Sequence, residues 1–184
     1  PELADRFLKQ AQRFGAKLVN AQIEKIEKID GTFRLTSPSG TWEGRALIYS
    51  CGADPRRLKI PGEEEFTGRG VSYCATCDAF FFRGKQVIVV GGGDAAVEEG
   101  IFLTRFAQSV TIVHRRDQLR ASKILQQRAF DNPKIQFRWD TVLTEICGEE
   151  QVTHVRAKNV KTGVEDEIRI DGVFVFIGHI PNTW

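Results

Sequence analysis

The chain has 184 residues, 41% of them apolar and 27% charged, which is ordinary for a globular protein and enough for one substantial core or two small ones. Its 26 basic and 24 acidic side chains leave a net charge of +2, too even a balance for a surface built to grip a nucleic-acid backbone. No apolar run reaches the roughly 20 residues of a membrane span, and four cysteines are too few for a secreted disulfide framework.

Leu3, Phe7, Leu8, Ala11 and Phe14 recur at helical spacing and predict a short amphipathic helix. Strands are expected over 17–26, 31–37 and 42–52, with turns at Asp30-Gly31 and at Ser37-Pro38-Ser39-Gly40. Residues 53–65, with Pro55, Pro61 and Gly62, read as a connector between domains. Beyond it, the apolar runs 85–90, 109–114 and 134–139 alternate with helical stretches at 94–107 and 119–130. That order predicts an α/β fold with a parallel sheet and crossover helices. The segments 144–149, 153–160, 166–170 and 172–178 read as an antiparallel addition. The chain starts at Pro1 and contains no methionine, so it is expected to be a processed product or an internal fragment.

Between the first buried strand and the helix after it stands "VIVVGGGDAAVEEG", in which Gly91, Gly93 and Ala96 fit G-x-G-x-x-A. The first glycine permits a tight turn and the second admits a pyrophosphate to the backbone. The alanine allows close helix packing, and the helix N-terminus meets the negative charge. A tight turn with no ligand is the plainer alternative. An NAD site usually places an acidic residue at the end of the next strand. This chain has His114, Arg115 and Arg116 there, with Arg120 further on, and forked donors of that kind suit a 2′-phosphate. NADP(H) is therefore favoured over NAD(H).

The pair Cys74 and Cys77 is open to three readings. A structural zinc site needs four ligands, and Cys51, Cys147, His114, His154 and His179 are scattered, so no metal is expected. A staple over so short a loop contributes little. A redox couple has positive support, because a C-x-x-C near a helix start favours thiolate. Asp78 follows as a possible proton shuttle, or simply as a helix cap.

"CATCD", "VVGGGDAAVEE", "HRRDQLRASKIL" and "FIGHIPNT", in that order, resemble the low-molecular-weight thioredoxin reductases over nearly the whole chain. The resemblance implies a Rossmann-like NADPH-binding domain over 55–181 that carries the C-x-x-C. It makes 1–54 the middle part of an FAD-binding domain and 182–184 the start of the return to it. Electrons would pass from NADPH through FAD to the Cys74–Cys77 disulfide and on to thioredoxin, in a cytoplasmic homodimer. Cys77 becomes the thiol facing the flavin, Cys74 the thiol attacking thioredoxin, and Asp78 the acid–base residue. Gly91, Gly92, Gly93, Asp94, Ala95 and Ala96 would hold the pyrophosphate; His114, Arg115, Arg116 and Arg120 would hold the 2′-phosphate. Cys51, Gly52 and Ala53 would lie near the flavin, with Cys51 read as a small buried residue. Ala79 and Ala95 depart from the family's usual Gly and Ser or Thr, and the family's N-terminal FAD fingerprint and C-terminal flavin-closing segment are absent from these residues. Because nicotinamide and disulfide must both reach one flavin, the two domains are expected to rotate about crossings at 54–57 and 179–182. A flavoprotein serving a peroxidase or another dithiol partner, and a non-catalytic NADP(H)-binding module, are the alternatives.

Overall fold

A computed structural model describes residues 2–183; Pro1 and Trp184, which lie at the outer ends of the first and last expected segments, fall outside them. The chain divides into two compact units, one ending at Ser50 and the other starting at Cys51, where the sequence reading placed its boundary after Asp54.

In the first unit, helix α1 covers Glu2–Arg13, and its apolar face stays open, with Leu3, Phe7 and Phe14 all exposed. Strands β1 (Lys25–Ile29), β2 (Thr32–Ser37) and β3 (Gly40–Gly44) form an antiparallel meander. Asp30 and Gly31 both take positive φ, 48° and 80°, which matches the twist of a two-residue hairpin. Two expected strands are shorter than predicted. Residues 17–24 are not strand, and the run over 42–52 stops as a strand at Gly44. Apolar composition makes a strand only where a neighbour supplies hydrogen bonds. No strand flanks 45–50 among the described residues, and Ile48 is 91% exposed.

The second unit begins with β4 (Ala53–Pro55), followed by β5 (Val71–Ser72), helix α2 (Ala75–Asp78) and a 3-10 turn over Ala79–Phe82. Then come β6 (Gln86–Val90), α3 (Asp94–Leu103), β7 (Ser109–Val113), α4 (Lys123–Phe130) and β8 (Ile135–Arg138). Strands β9 (Thr141–Gly148), β10 (Val152–Asn159), β11 (Glu165–Arg169), β12 (Gly172–Val175) and β13 (His179–Pro181) complete it. A five-stranded parallel sheet has the order β5-β12-β6-β7-β8, and β9, β10 and β11 make a separate antiparallel sheet.

Strand alternation sorts the core onto two faces of the parallel sheet. Val87, Val89, Val110 and Ile112 pack with Ala96, Val97 and Leu103 of α3 and Ala129 of α4. Ile88, Val90 and Val113 pack instead with Leu143, Ile146 and Val155 from the antiparallel sheet. Each valine, leucine or isoleucine among them, fully buried, contributes about 1.5–3 kcal/mol.

Two further expectations are corrected. Segment 172–178 does not join the antiparallel addition; β12 pairs in parallel with both β5 and β6. All four of its residues are buried, as a strand covered on both faces requires. Residues 119–122 are not helical: the amides of Arg120 and Ala121 both bond to Gly92 O, which holds this stretch as a loop against the glycine turn. The two crossing segments of the sequence reading lie side by side, since β13 pairs antiparallel with β4 from His179↔Pro55 to Pro181↔Ala53.

Candidate functional site

Strand β5 leads directly into the C-x-x-C. Cys74 and Cys77 form a disulfide with Cα atoms 5.3 Å apart. Cys74 caps α2, its Sγ accepting the Cys77 N–H at 3.2 Å, and lies 3.4 Å from Thr76 Oγ1. A backbone donor aimed at a sulfur favours the anionic form once such a bond opens. Cys77 is exposed and Cys74 half-buried. Asp78 does not cap the 3-10 turn that follows; its Oδ2 accepts a hydrogen bond from Ser72 Oγ at 2.7 Å. Ser72 and Asp78 also line a cavity of about 260 Å³ together with Arg69, Lys85 and Asp171. Behind the disulfide, the Phe82 ring packs edge-on against Phe174 at 4.9 Å and anchors the turn to the sheet. Phe80 and Phe81 have no such burial and stand 64% and 70% exposed.

The glycine turn joins β6 to α3. Gly91 has φ 152°, and a Cβ there would meet Phe176 O at 2.4 Å and the Ala96 Cβ at 2.5 Å, so only glycine fits. A Cβ on Gly92 would strike the His114 ring at 2.4 Å. Gly93 differs: nothing lies within 4 Å of its hypothetical Cβ, and its φ of −90° suits any residue. The protein's own packing does not require glycine there, whereas a group laid against the backbone from outside would. Gly93 is also the N-cap of α3 and makes no side-chain capping bond. First-turn amides of such a helix are left to solvent or to an anion. These features fit a pyrophosphate.

The arginine loop is tied to that turn at three points. Arg120 N and Ala121 N bond to Gly92 O at 2.7 and 3.1 Å, and Ser122 N bonds to Asp94 Oδ1 at 2.7 Å. Buried Leu119 and Ala121 pin the loop, while Arg115, Arg116 and Arg120 are exposed. None of the three guanidinium groups has an ion-pair partner among the described residues. The loop's own carboxylate, Asp117, is turned to Lys161 at 2.9 Å, and that partner holds it below the usual range. The loop thus presents an unbalanced positive face, as a 2′-phosphate needs. His114 stands apart from this face. It is buried, Nε2 has no partner among the described residues, and burial followed by the charges of Arg120, Arg116 and Arg115 pushes its pKa down. Its ring lies against Gly92.

Cys51, expected to be buried, is exposed. Gly52 beside it has φ 73° and open space around its Cα, and Ala53 is exposed too. Their backbone is held by the end of the chain: Asn182 Nδ2 donates to Cys51 O at 3.3 Å, Asn182 N–H donates to Gly52 O at 3.0 Å, and Ala53 pairs with Pro181 of β13. Among the described residues no three His, Cys, Asp or Glu side chains gather as metal ligands, and no helix is long and apolar enough to cross a membrane. Sequence reasoning missed Ser72, Lys161, Phe80 and Phe81. Only the aromatic pair left a signal, as part of a run of three phenylalanines just after a C-x-x-C.

Residues 4–184 match the family described as pyridine nucleotide-disulphide oxidoreductase. The chain is 46% identical to a thioredoxin reductase of Streptomyces coelicolor over 100% of its own length and 57% of the relative's. It is 48% identical to one of Bacillus subtilis, covering 98% of this chain and 58% of that one. The crystal structure of Lactococcus lactis thioredoxin reductase superposes with a TM-score of 0.82 at 44% identity, over 98% of this chain and 60% of that one. The chain therefore spans less than two thirds of the length of these relatives.

Proposed function

The chain belongs to the pyridine nucleotide-disulphide oxidoreductase family, and from that premise we propose that it is the NADP(H)-binding, disulfide-bearing part of a thioredoxin reductase. The observation that carries this reading is the joining, in one unit, of a Cys74–Cys77 disulfide with Cys77 exposed to a glycine cradle and an unbalanced arginine face. Residues 55–181 act as the NADP(H) domain and 1–54 as the middle part of an FAD domain, to which 182–184 returns. The resemblance supports a place for Cys51, Gly52 and Ala53 beside FAD.

Gly91–Ala96 receive the pyrophosphate on backbone amides, and Arg115, Arg116 and Arg120 receive the 2′-phosphate. His114 props the turn on which both depend. When bound, FAD supplies the two-electron relay between nicotinamide and disulfide that thiols lack. The chain's own part is to hold the disulfide, to take up its electrons as two thiols, and to move their protons through Asp78. Cys74 then attacks the partner's disulfide, as the resemblance implies. A cytoplasmic location and a homodimer go with this reading on resemblance alone. The paired strands β4 and β13, where the chain crosses twice between the proposed domains, suit the expected rotation.

The reading is tested on the full-length protein. Anaerobic NADPH should bleach a flavin band, and oxidised thioredoxin should restore it with one NADPH consumed per disulfide. A purified full-length protein without flavin would sink the proposal in favour of a binding module; prompt restoration by a peroxidase but not by thioredoxin would favour the other dithiol reading.

The exposed rings of Phe80 and Phe81 sit on the turn just after the disulfide. Exposed aromatics beside a reactive group are the usual anchors of a protein partner. Replacing both with alanine should raise KM for thioredoxin about tenfold, the loss of one modest hot spot. Reduction of a small aromatic disulfide by the same variant should keep its rate. Equal losses on both substrates would place the rings in the fold instead of the interface.

A further inference from the structure

Ser72 is the last residue of β5, only 4% exposed, and its hydroxyl reaches three groups of the redox loop. It accepts the Cys74 N–H at 3.1 Å and lies 3.2 Å from Cys74 O and 2.7 Å from Asp78 Oδ2. A serine has one proton to donate, and the closer, charged acceptor takes it. Strand β5 is fixed in the sheet by the pair Ser72↔Phe174, whereas α2 has a single turn and Thr76 and Cys77 on it are exposed. The hydroxyl is thus the link between a sheet strand and the reactive groups of a short, exposed helix.

We propose that Ser72 is a positioning residue for the thiol chemistry, acting through Asp78. The inference rests on the redox reading above. By holding Oδ2, the serine leaves Oδ1 to take a proton. When the reduced pair attacks a partner disulfide, the attacking S–H bond breaks and its proton passes to Oδ1. The sulfur's electron pair forms the new S–S bond, the partner's S–S bond breaks, and the departing thiolate takes a proton from water. Asp78 then returns its proton to solvent, for which the cavity it shares with Ser72 offers a path.

The test uses the reduced 184-residue chain and needs no flavin. Iodoacetamide alkylation of Cys74 and Cys77 is followed from pH 5 to 9, with mass spectrometry separating these sites from Cys51 and Cys147. At pH 7 Asp78→Asn and Ser72→Ala should each slow the more reactive thiol about tenfold, and the double variant should be no slower than Asp78→Asn alone. Both single variants should also lose the same limb of the pH profile. Multiplying effects in the double variant, or a Ser72→Ala profile equal to that of the unsubstituted chain, would overturn the role. Disulfide re-formation in glutathione buffer is read in parallel. A pair that fails to re-form sinks the redox reading itself; one that re-forms while ignoring Ser72 overturns the present inference alone.

Discussion

Replacing Arg115, Arg116 and Arg120 with alanine should weaken NADPH binding on the order of a thousandfold and change NADH binding by less than about threefold. The three side chains are exposed, have no ion pair among the described residues, and hang from a loop whose backbone is bonded to Gly92 O. Each charge-assisted bond to phosphate is worth about 1.5–3 kcal/mol before solvent screening, which for exposed groups takes the sum to about 4 kcal/mol. NADH has no 2′-phosphate and rests only on the glycine cradle, which the substitutions leave intact. Titration of both nucleotides against the 184-residue chain decides the matter, and the preference should also shrink as salt is raised. Equal losses for the two nucleotides would mean that the arginines support the cradle and do not read the phosphate.

The cradle and its loop were legible because their signals are local. A strand, a glycine turn and a helix follow one another in "VIVVGGGDAAVEEG", and the basic residues close the next strand within the same βαβ unit. The Asp30-Gly31 hairpin was legible for the same reason, since both residues tolerate positive φ. What escaped was set by partners far away in sequence. Lys161 neutralises Asp117 across 44 positions, and no local pattern announces it. The segment "GVFVFIG" carries the same continuous apolar signature as "KQVIVV", but its turns to neighbouring strands read as antiparallel, and only pairing with β5 and β6 places it in the parallel sheet. Residues 45–50 erred in the opposite sense: apolar content promised a strand for which this chain holds no neighbour. β4, β5 and β13, at two or three residues each, are too short to show any period.

Substituting Glu63 with alanine should destabilise the second unit by about 3 kcal/mol or more. Glu63 is 2% exposed, yet its carboxylate is fully engaged. Oε1 accepts the Leu58 N–H at 2.8 Å and the Tyr73 hydroxyl at 2.9 Å, and Oε2 accepts the Lys59 N–H at 2.7 Å. Lys59 has φ 62°, a left-handed conformation that costs a non-glycine residue about 1–2 kcal/mol, and the bond to Glu63 holds it there. The carboxylate therefore ties the segment leaving β4 to the residue just before Cys74. Alanine would strand two backbone donors and a phenol, each at about 1–3 kcal/mol, offset in part by water entering the gap. Glutamine keeps the shape and one acceptor oxygen, so its loss should be about half as large. The phenol adds a pH signature. Burial, then the hydrogen bond and charge of Glu63, push the Tyr73 pKa up from 10.0 to about 12. A group raised in this way stabilises fully below pH 10 and loses its contribution as pH climbs through about 12. Urea denaturation of the 184-residue chain at pH 8 and pH 11.5 should therefore show the advantage of the unsubstituted chain over Tyr73→Phe shrinking at the higher pH. A Glu63→Ala chain with an unchanged midpoint and slope at pH 8 would show that water replaces the carboxylate without cost, and that the positive φ at Lys59 is held by something else.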